Sequence, residues 1–208
     1  MTHFTVGIIV PNCLPPVELD HFIMEAMAPY DEALEVAPYV CYSLPQARAD
    51  LDRDIKRFER IIEQQSPGYN LEKCQELLAE LLATTPEEKY REYIDFHQHF
   101  DGDGEPTSTY NPNSKWDWYV IGGRWDGWIN DRESGKRAIA DNIASTGDAL
   151  QRGKIPHALI TPDGQWHEHG QMGWWGIMLT ENEGWETKAR AILAQYPDCN
   201  VLILDAHI

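Results

Sequence analysis

Thr2-His3-Phe4-Thr5-Val6-Gly7-Ile8-Ile9-Val10 is β-branched and apolar, and it is bounded by Pro11 and by the prolines at 15 and 16. A short apolar run between such breakers reads as a buried strand. Residues 18–27 (ELDHFIMEAM) then carry a helical pattern that stops at Ala28 and Pro29. Similar grammar returns late in the sequence. Residues 157–161 (HALIT), the turn Pro162-Asp163-Gly164 and residues 165–169 (QWHEH) predict a β-hairpin. Residues 174–180 (WWGIMLT) predict a strand, 185–195 a helix with Ala189, Ile192 and Leu193 inward, and 200–204 (NVLIL) a buried last strand. An initial β–α, a hairpin and a late β–α–β specify an α+β fold. Its expected form is a mostly antiparallel sheet with helices on one face, a ferredoxin-like core being the most economical version.

Between these ends lies a helical stretch. Ser43, with Gln46 three residues on, has the pattern of a capping box, and Leu51, Ile55, Phe58 and Ile62 form one apolar stripe behind it. Asn70 caps a second helix with Leu71, Cys74, Leu78 and Leu81 inward; Thr85-Pro86 and Glu88 open a third, reaching about His97. Residues 34–42 read as extended at an edge because of Pro38. Residues 100–114 read as loop, 116–121 (WDWYVI) as a strand and 138–150 as a helix. The expected organisation is one α+β domain over 1–208, with 43–99 an inserted helical subdomain and 100–115 a loop.

The chain has 208 residues, 34 acidic against 17 basic, for a net charge of −17. The excess is spread, −10 over residues 1–100 and −7 over 101–208, so it reads as a solvated surface rather than an acidic tail. This charge argues against direct nucleic-acid binding and against docking on an anionic membrane, since both reward Lys and Arg. No window is apolar enough to span a bilayer, and the first ten residues lack the positive start of a secretion signal. Cys13, Cys41, Cys74 and Cys199 are widely spaced and read as reduced thiols, which together with the missing signal predicts a cytoplasmic protein.

All eight tryptophans fall between positions 116 and 185. In Trp116-Asp117-Trp118-Tyr119, strand alternation puts 116 and 118 on one face and Asp117 and Tyr119 on the other. Gly122-Gly123-Arg124-Trp125 follows, a turn whose glycines let backbone N–H groups approach a ligand or simply end the strand. An aromatic cleft with nearby cations suits a planar charged ligand. The candidate binding residues are therefore Lys115, Asp117, Trp118, Arg124 and Trp125.

The block Asn111-Pro112-Asn113-Ser114-Lys115-Trp116-Asp117-Trp118-Tyr119, continued by Ile121-Gly122-Gly123-Arg124-Trp125, resembles a family of uncharacterised proteins from bacteriophages and some bacteria. The resemblance extends to Tyr30-Asp31-Glu32, to 161–166 with 172–174, and to Asp205-Ala206-His207-Ile208, about half of the chain. It implies a phage-associated intracellular setting and no particular activity. The family's terminal pattern is Asp-Cys-His-Ile, and Ala206 here removes a thiolate from that position.

Metal-capable residues recur at His97, His99, Asp101 and Asp103, without a spacing that converges on one point. His157, His169, Asp205 and His207 form the candidate metal set, on the premise that the hairpin and last strand are neighbours. Phosphate-loop, dinucleotide and nucleophile-elbow patterns are absent. The leading expectation is a phage-type accessory protein without a cofactor. It would bind a protein partner or a small planar, charged ligand and could serve to counteract a host defence. The alternatives are a hydrolase of nucleotide-like or phosphorylated substrates assisted by a divalent transition metal, an acidic nucleic-acid mimic, and a virion component.

Overall fold

A computed structural model describes residues 2–132, 138–170, 182 and 184–208. The elements are β1 (His3–Pro11), α1 (Pro16–Met27), β2 (Tyr39–Val40), α2 (Leu44–Glu63), α3 (Leu71–Ala83), α4 (Pro86–Phe96) and β3 (Thr107–Ser108). They continue with β4 (Trp118–Ile121), α5 (Ile139–Asn142), β5 (Ile143–Ser145), α6 (Thr146–Arg152), β6 (Ala158–Ile160), β7 (Trp166–Glu168), α7 (Trp185–Ala194) and β8 (Cys199–His207). The fold class is α+β. The chain divides into a sheet unit, residues 1–35 with 110–208, and a helical unit, residues 36–109. The strand expected at 174–180 lies outside the described residues.

In the sheet unit the strand order is β4-β8-β1-β6-β7, with β5 also on β8. β1 and β8 pair antiparallel along their whole length, from His3 with His207 to Pro11 with Cys199. On its other side β1 pairs parallel with β6, the first strand of the expected hairpin, and β6 pairs antiparallel with β7. A ferredoxin-like core differs here. It would split the β–α–β unit by inserting the hairpin's second strand next to β1, whereas β6 takes that place and β7 forms the sheet edge.

Helices cover both faces rather than the one expected. Phe4, Val6, Ile8 and Val10 of β1 pack with Leu202 and Leu204 of β8 and with Leu19, Ile23 and Met27 of α1. The alternate residues Ile9, Val201 and Ile203 pack with Ala149 of α6 and with Trp185, Ala189, Ile192 and Leu193 of α7. Near-continuous apolar runs such as VGIIV and VLIL fit strands buried on both faces, since period-two patterning needs one wet face. The expected helix at 138–150 is interrupted. Residues 143–145 are drawn out as β5 against β8, and Ser145 then caps α6 by accepting the Asp148 N–H at 3.0 Å.

The helical unit follows its sequence signals more closely. Asn70 accepts the Lys73 N–H at 3.1 Å, and Thr85 and Glu88 form a reciprocal capping box. Ser43 departs from expectation, since its hydroxyl donates to Gln46 Oε1 at 2.7 Å and caps no backbone N–H. Ala47, Leu51, Ile61 and Cys74 are the buried apolar side chains of α2 and α3. Thr107 and Ser108, read as loop, instead pair with Val40 and Tyr39.

Gly7 sits where the second face is tightest. A Cβ there would come within 2.9 Å of Leu159, Pro156 and Val201 side chains at once. Gly7→Ala should therefore destabilise the sheet unit by about 1–3 kcal/mol, the usual cost of overpacking a filled core. A thermal melt followed by near-ultraviolet circular dichroism checks this. An unchanged midpoint would mean that the three neighbours give way.

Candidate functional site

Strand alternation dictates where polar chemistry can sit in the sheet unit. On β8 the row Val201, Ile203, Asp205, His207 faces the side of α7, and only its first two members join that core. Asp205 and His207 lie beyond it and are nevertheless 2% and 5% exposed. Register places Trp118 of β4 opposite His207, and His207 opposite His3 of β1, so the three rings form one line across three strands. The Trp118 and His207 rings are stacked at 13° with centroids 5.3 Å apart. His3 stands edge-on to both, its centroid 5.1 Å from each.

Two carboxylates anchor the two imidazoles. His3 Nδ1 donates to Asp205 Oδ1 at 2.8 Å, and His207 Nδ1 donates to Asp117 Oδ1 at 2.7 Å. A carboxylate only accepts, so each Nδ1 carries its hydrogen, and each Nε2 of a neutral ring is an acceptor. The second oxygen of Asp205 receives the Arg124 backbone N–H at 2.9 Å. Asp205 thus has both oxygens satisfied, as a buried carboxylate requires. His207 Nε2 is different, being the buried side-chain polar atom without a partner among the described residues.

The glycine pair now has a physical account. Gly122 and Gly123 both have positive φ, 68° and 54°. A Cβ on Gly123 would overlap the Asp205 carboxylate, and one on Gly122 would stand 2.6 Å from the Asn142 amide. Asn142 is fully buried; it donates to Asp126 Oδ1 at 2.7 Å and accepts the Gly127 N–H at 2.9 Å. The turn is therefore fastened by Asp205 at one point and Asn142 at another. The close approach expected toward a ligand is made toward the protein's own side chains, and the Arg124 side chain is left exposed.

The predicted binding residues do not form one cleft. Asp117 and Trp118 meet at the histidine cluster, and Arg124 joins it through its backbone. Trp125 packs against the core under α7. Lys115 lies elsewhere, paired with Glu168 at 2.8 Å in an open groove of about 480 Å³ that Tyr30, Trp166 and Lys188 also line. Trp116 is not on the Trp118 face. It precedes β4, bridges to Asp31, is buried in the α1 core and donates its indole N–H to the Met27 carbonyl at 3.1 Å.

The candidate metal set separates into pairs. His157 and His169 stand 5.8 Å apart by ring centroid at the open end of the hairpin, while Asp205 and His207 are engaged by His3 and Asp117. Among the described residues no three His, Cys, Asp or Glu side chains gather as a metal ion would need. Among them, too, no helix is long and apolar enough to cross a membrane. His3 is the site residue the sequence reading missed. Its signal was present, because His3 on β1 and Asp205 and His207 on β8 all sit at odd positions of buried strands and so share a face once those strands pair.

No protein-family model, curated protein or solved structure matches this chain.

Two expectations follow from the geometry. Asp205→Asn presents an amide N–H₂ to one of two fixed donors, and it should cost about 2–3 kcal/mol in a thermal melt, as for a buried unsatisfied group. Asp117→Asn, at a carboxylate 39% exposed, should cost clearly less. Burial lowers the pKa of His157 below its ordinary 6.5, with a smaller contribution in the same direction from His169. The unfolded chain then binds that proton more readily than the folded one. The stability concerned is present above about pH 6.5 and is lost as pH falls. His157→Gln should flatten the acid side of the melting-temperature profile below about pH 6.5, and an unchanged slope would assign the acid loss to other groups.

Proposed function

We propose that this chain is an accessory binding protein whose sheet unit takes a small, planar, anionic ligand on the indole of Trp118, with the Arg124 side chain meeting the charge. The observation that supports this reading most is an exposed aromatic face held rigid from behind. Trp118 is 42% exposed, yet it stacks on His207, which is buried and fixed by Asp117. A large ring open to solvent costs free energy in the unbound state, and a preorganised one loses little freedom on binding. Arg124 is exposed in the turn that follows β4, while its own backbone N–H is engaged by Asp205. In a chain of net charge −17, an exposed cation on the turn after β4 is a local departure from the surrounding field. The metal-assisted hydrolase reading lacks comparable support, since the histidines it relies on lie in separate pairs.

Calorimetric titration with the four ribonucleoside 5′-monophosphates, as planar anions, tests the proposal. Trp118→Ala should weaken binding by about 1–3 kcal/mol, the range for losing one stacked ring, or roughly 5- to 150-fold. Arg124→Ala should weaken it by a similar factor through loss of a charged hydrogen bond. Binding that survives both substitutions unchanged would overturn the assignment to this face. So would an affinity that disappears with substitutions in residues 43–97 alone.

A further inference from the structure

The groove beside the hairpin, of about 480 Å³, has the size of a small-molecule site and takes no part in the site at Trp118. It runs along β7, the edge strand, so side chains from both faces of the sheet reach it. One wall is fixed. Glu168 accepts from Lys115 Nζ on one oxygen and from the Trp166 indole N–H on the other, each at 2.8 Å. The Tyr30 hydroxyl accepts the Trp166 backbone N–H at 3.0 Å and donates to the Gly164 carbonyl at 2.6 Å. The carboxylate of the groove is therefore paired. The other wall is open to a partner. His167 makes no side-chain hydrogen bond, and Lys188 no ion pair, among the described residues. The helical neighbours of Lys188 are Gly184, Trp185, Ala191 and Ile192, none of them acidic, whereas Arg190 on the same helix is paired with Glu186 at 2.8 Å. In a chain of net charge −17, two lysines against one carboxylate make this groove locally cationic.

We infer that the groove along β7 is a second binding site, for a phosphate monoester, with the phosphate on Lys188 and His167 and the ester body toward Lys115. Burial, and then the charge of Lys188, hold the His167 pKa below its ordinary 6.5, with Asp163 opposing them. The ring is therefore neutral at neutral pH, an N–H donor beside a cation. A phosphate dianion reverses that field. Its charge offsets Lys188 and favours the imidazolium, so the ring takes up a proton and the dianion rests against two cations. A carboxylate brings one charge, which Lys188 alone balances. Lys115 keeps two donors beyond the one given to Glu168. Asn182 donates its side-chain N–H to the Glu168 carbonyl at 2.8 Å and keeps its amide oxygen as an acceptor. The hydroxyls of an ester body can use both. Trp118 and Arg124 do not line this groove, so the site is independent of the ligand reading above.

Nuclear magnetic resonance of the imidazoles, titrated with pH in sodium chloride at about 0.15 M, provides the test. Glucose 6-phosphate, which has no planar ring to stack on Trp118, should raise the His167 midpoint by about one pH unit. His21, whose side chain is 68% exposed, is the internal reference and should not move. The His167 response against concentration at fixed pH gives the affinity. Inorganic phosphate should bind at the same place about 10-fold more weakly, lacking the hydrogen bonds of the ester body. Acetate at the same concentration should leave His167 in place. Lys188→Gln, at an exposed position, should weaken glucose 6-phosphate by about 10-fold or more through loss of a charged hydrogen bond. An equal response at His21, or undiminished binding by Lys188→Gln, would show general ion effects and overturn the inference. A response to acetate as large as that to glucose 6-phosphate would overturn the phosphate, and equal affinity for inorganic phosphate would overturn the ester. Trp118→Ala and Arg124→Ala should leave the His167 response unchanged. A response lost with either would place the anion at Trp118 and overturn the second site, so the two sites can fail separately.

Discussion

A carboxylate that is 2% exposed in the middle of a sheet end must find donors or lose its charge, and Asp205 organises its surroundings around that requirement. One oxygen takes the imidazole of His3 and so links β8 to β1; the other takes the backbone of Arg124 and so draws in the turn after β4. That turn can come close enough only without a side chain at position 123. The orientation of His3, the path of residues 122–125 and the exposure of Arg124 are all consequences of satisfying one buried charge. The Asp117–His207 pair repeats the arrangement at a wetter position, where only one oxygen is given a ring to hold.

Burial on both faces of β1 and β8 decides where this chemistry can occur. Apolar residues fill one face from Phe4 to Val10 under α1 and much of the other under α6 and α7. The buried polar residues Thr5, Asp205 and His207, with His3, lie at the end of these strands beyond the apolar core. The site thus occupies the end of that face beyond the α6 and α7 core, where Trp118 stacks on His207.

Much of this was legible in the sequence, for identifiable reasons. The helices between residues 44 and 96 carry their own start signals at Asn70 and Thr85, and local hydrogen bonds do what those signals say. The hairpin was legible because Pro162-Asp163-Gly164 fixes a turn between two short runs. What could not be read depended on partners distant in sequence. Residues 143–145 look helical by composition, and pairing with Leu202, Val201 and Asn200 overrides that preference. Trp116 and Trp118 look alike under simple alternation, but the strand begins only at 118, so the first ring is free to turn into the α1 core. Of the expected binding residues, Asp117 and Trp118 both meet His207. Lys115 and Trp125 were drawn in by proximity in sequence, although their side chains leave the strand for the hairpin groove and the second core.

The ladder between β1 and β8 has a consequence for how the molecule is made. It joins residues 3–11 to residues 199–207, the most distant in sequence and the longest of the strand pairings among the described residues. Loop closure of that size is slow, and contacts this distant cannot seed folding. During synthesis β1 leaves the ribosome as an exposed apolar strand and waits for nearly the whole chain before β8 can pair with it, a vulnerable interval for aggregation. The helical stretch encoded between them has local caps and short-range contacts, so it can form early. The histidine cluster, which needs residues 3, 117, 205 and 207 together, is assembled among the last features of the protein and reports that the sheet is complete.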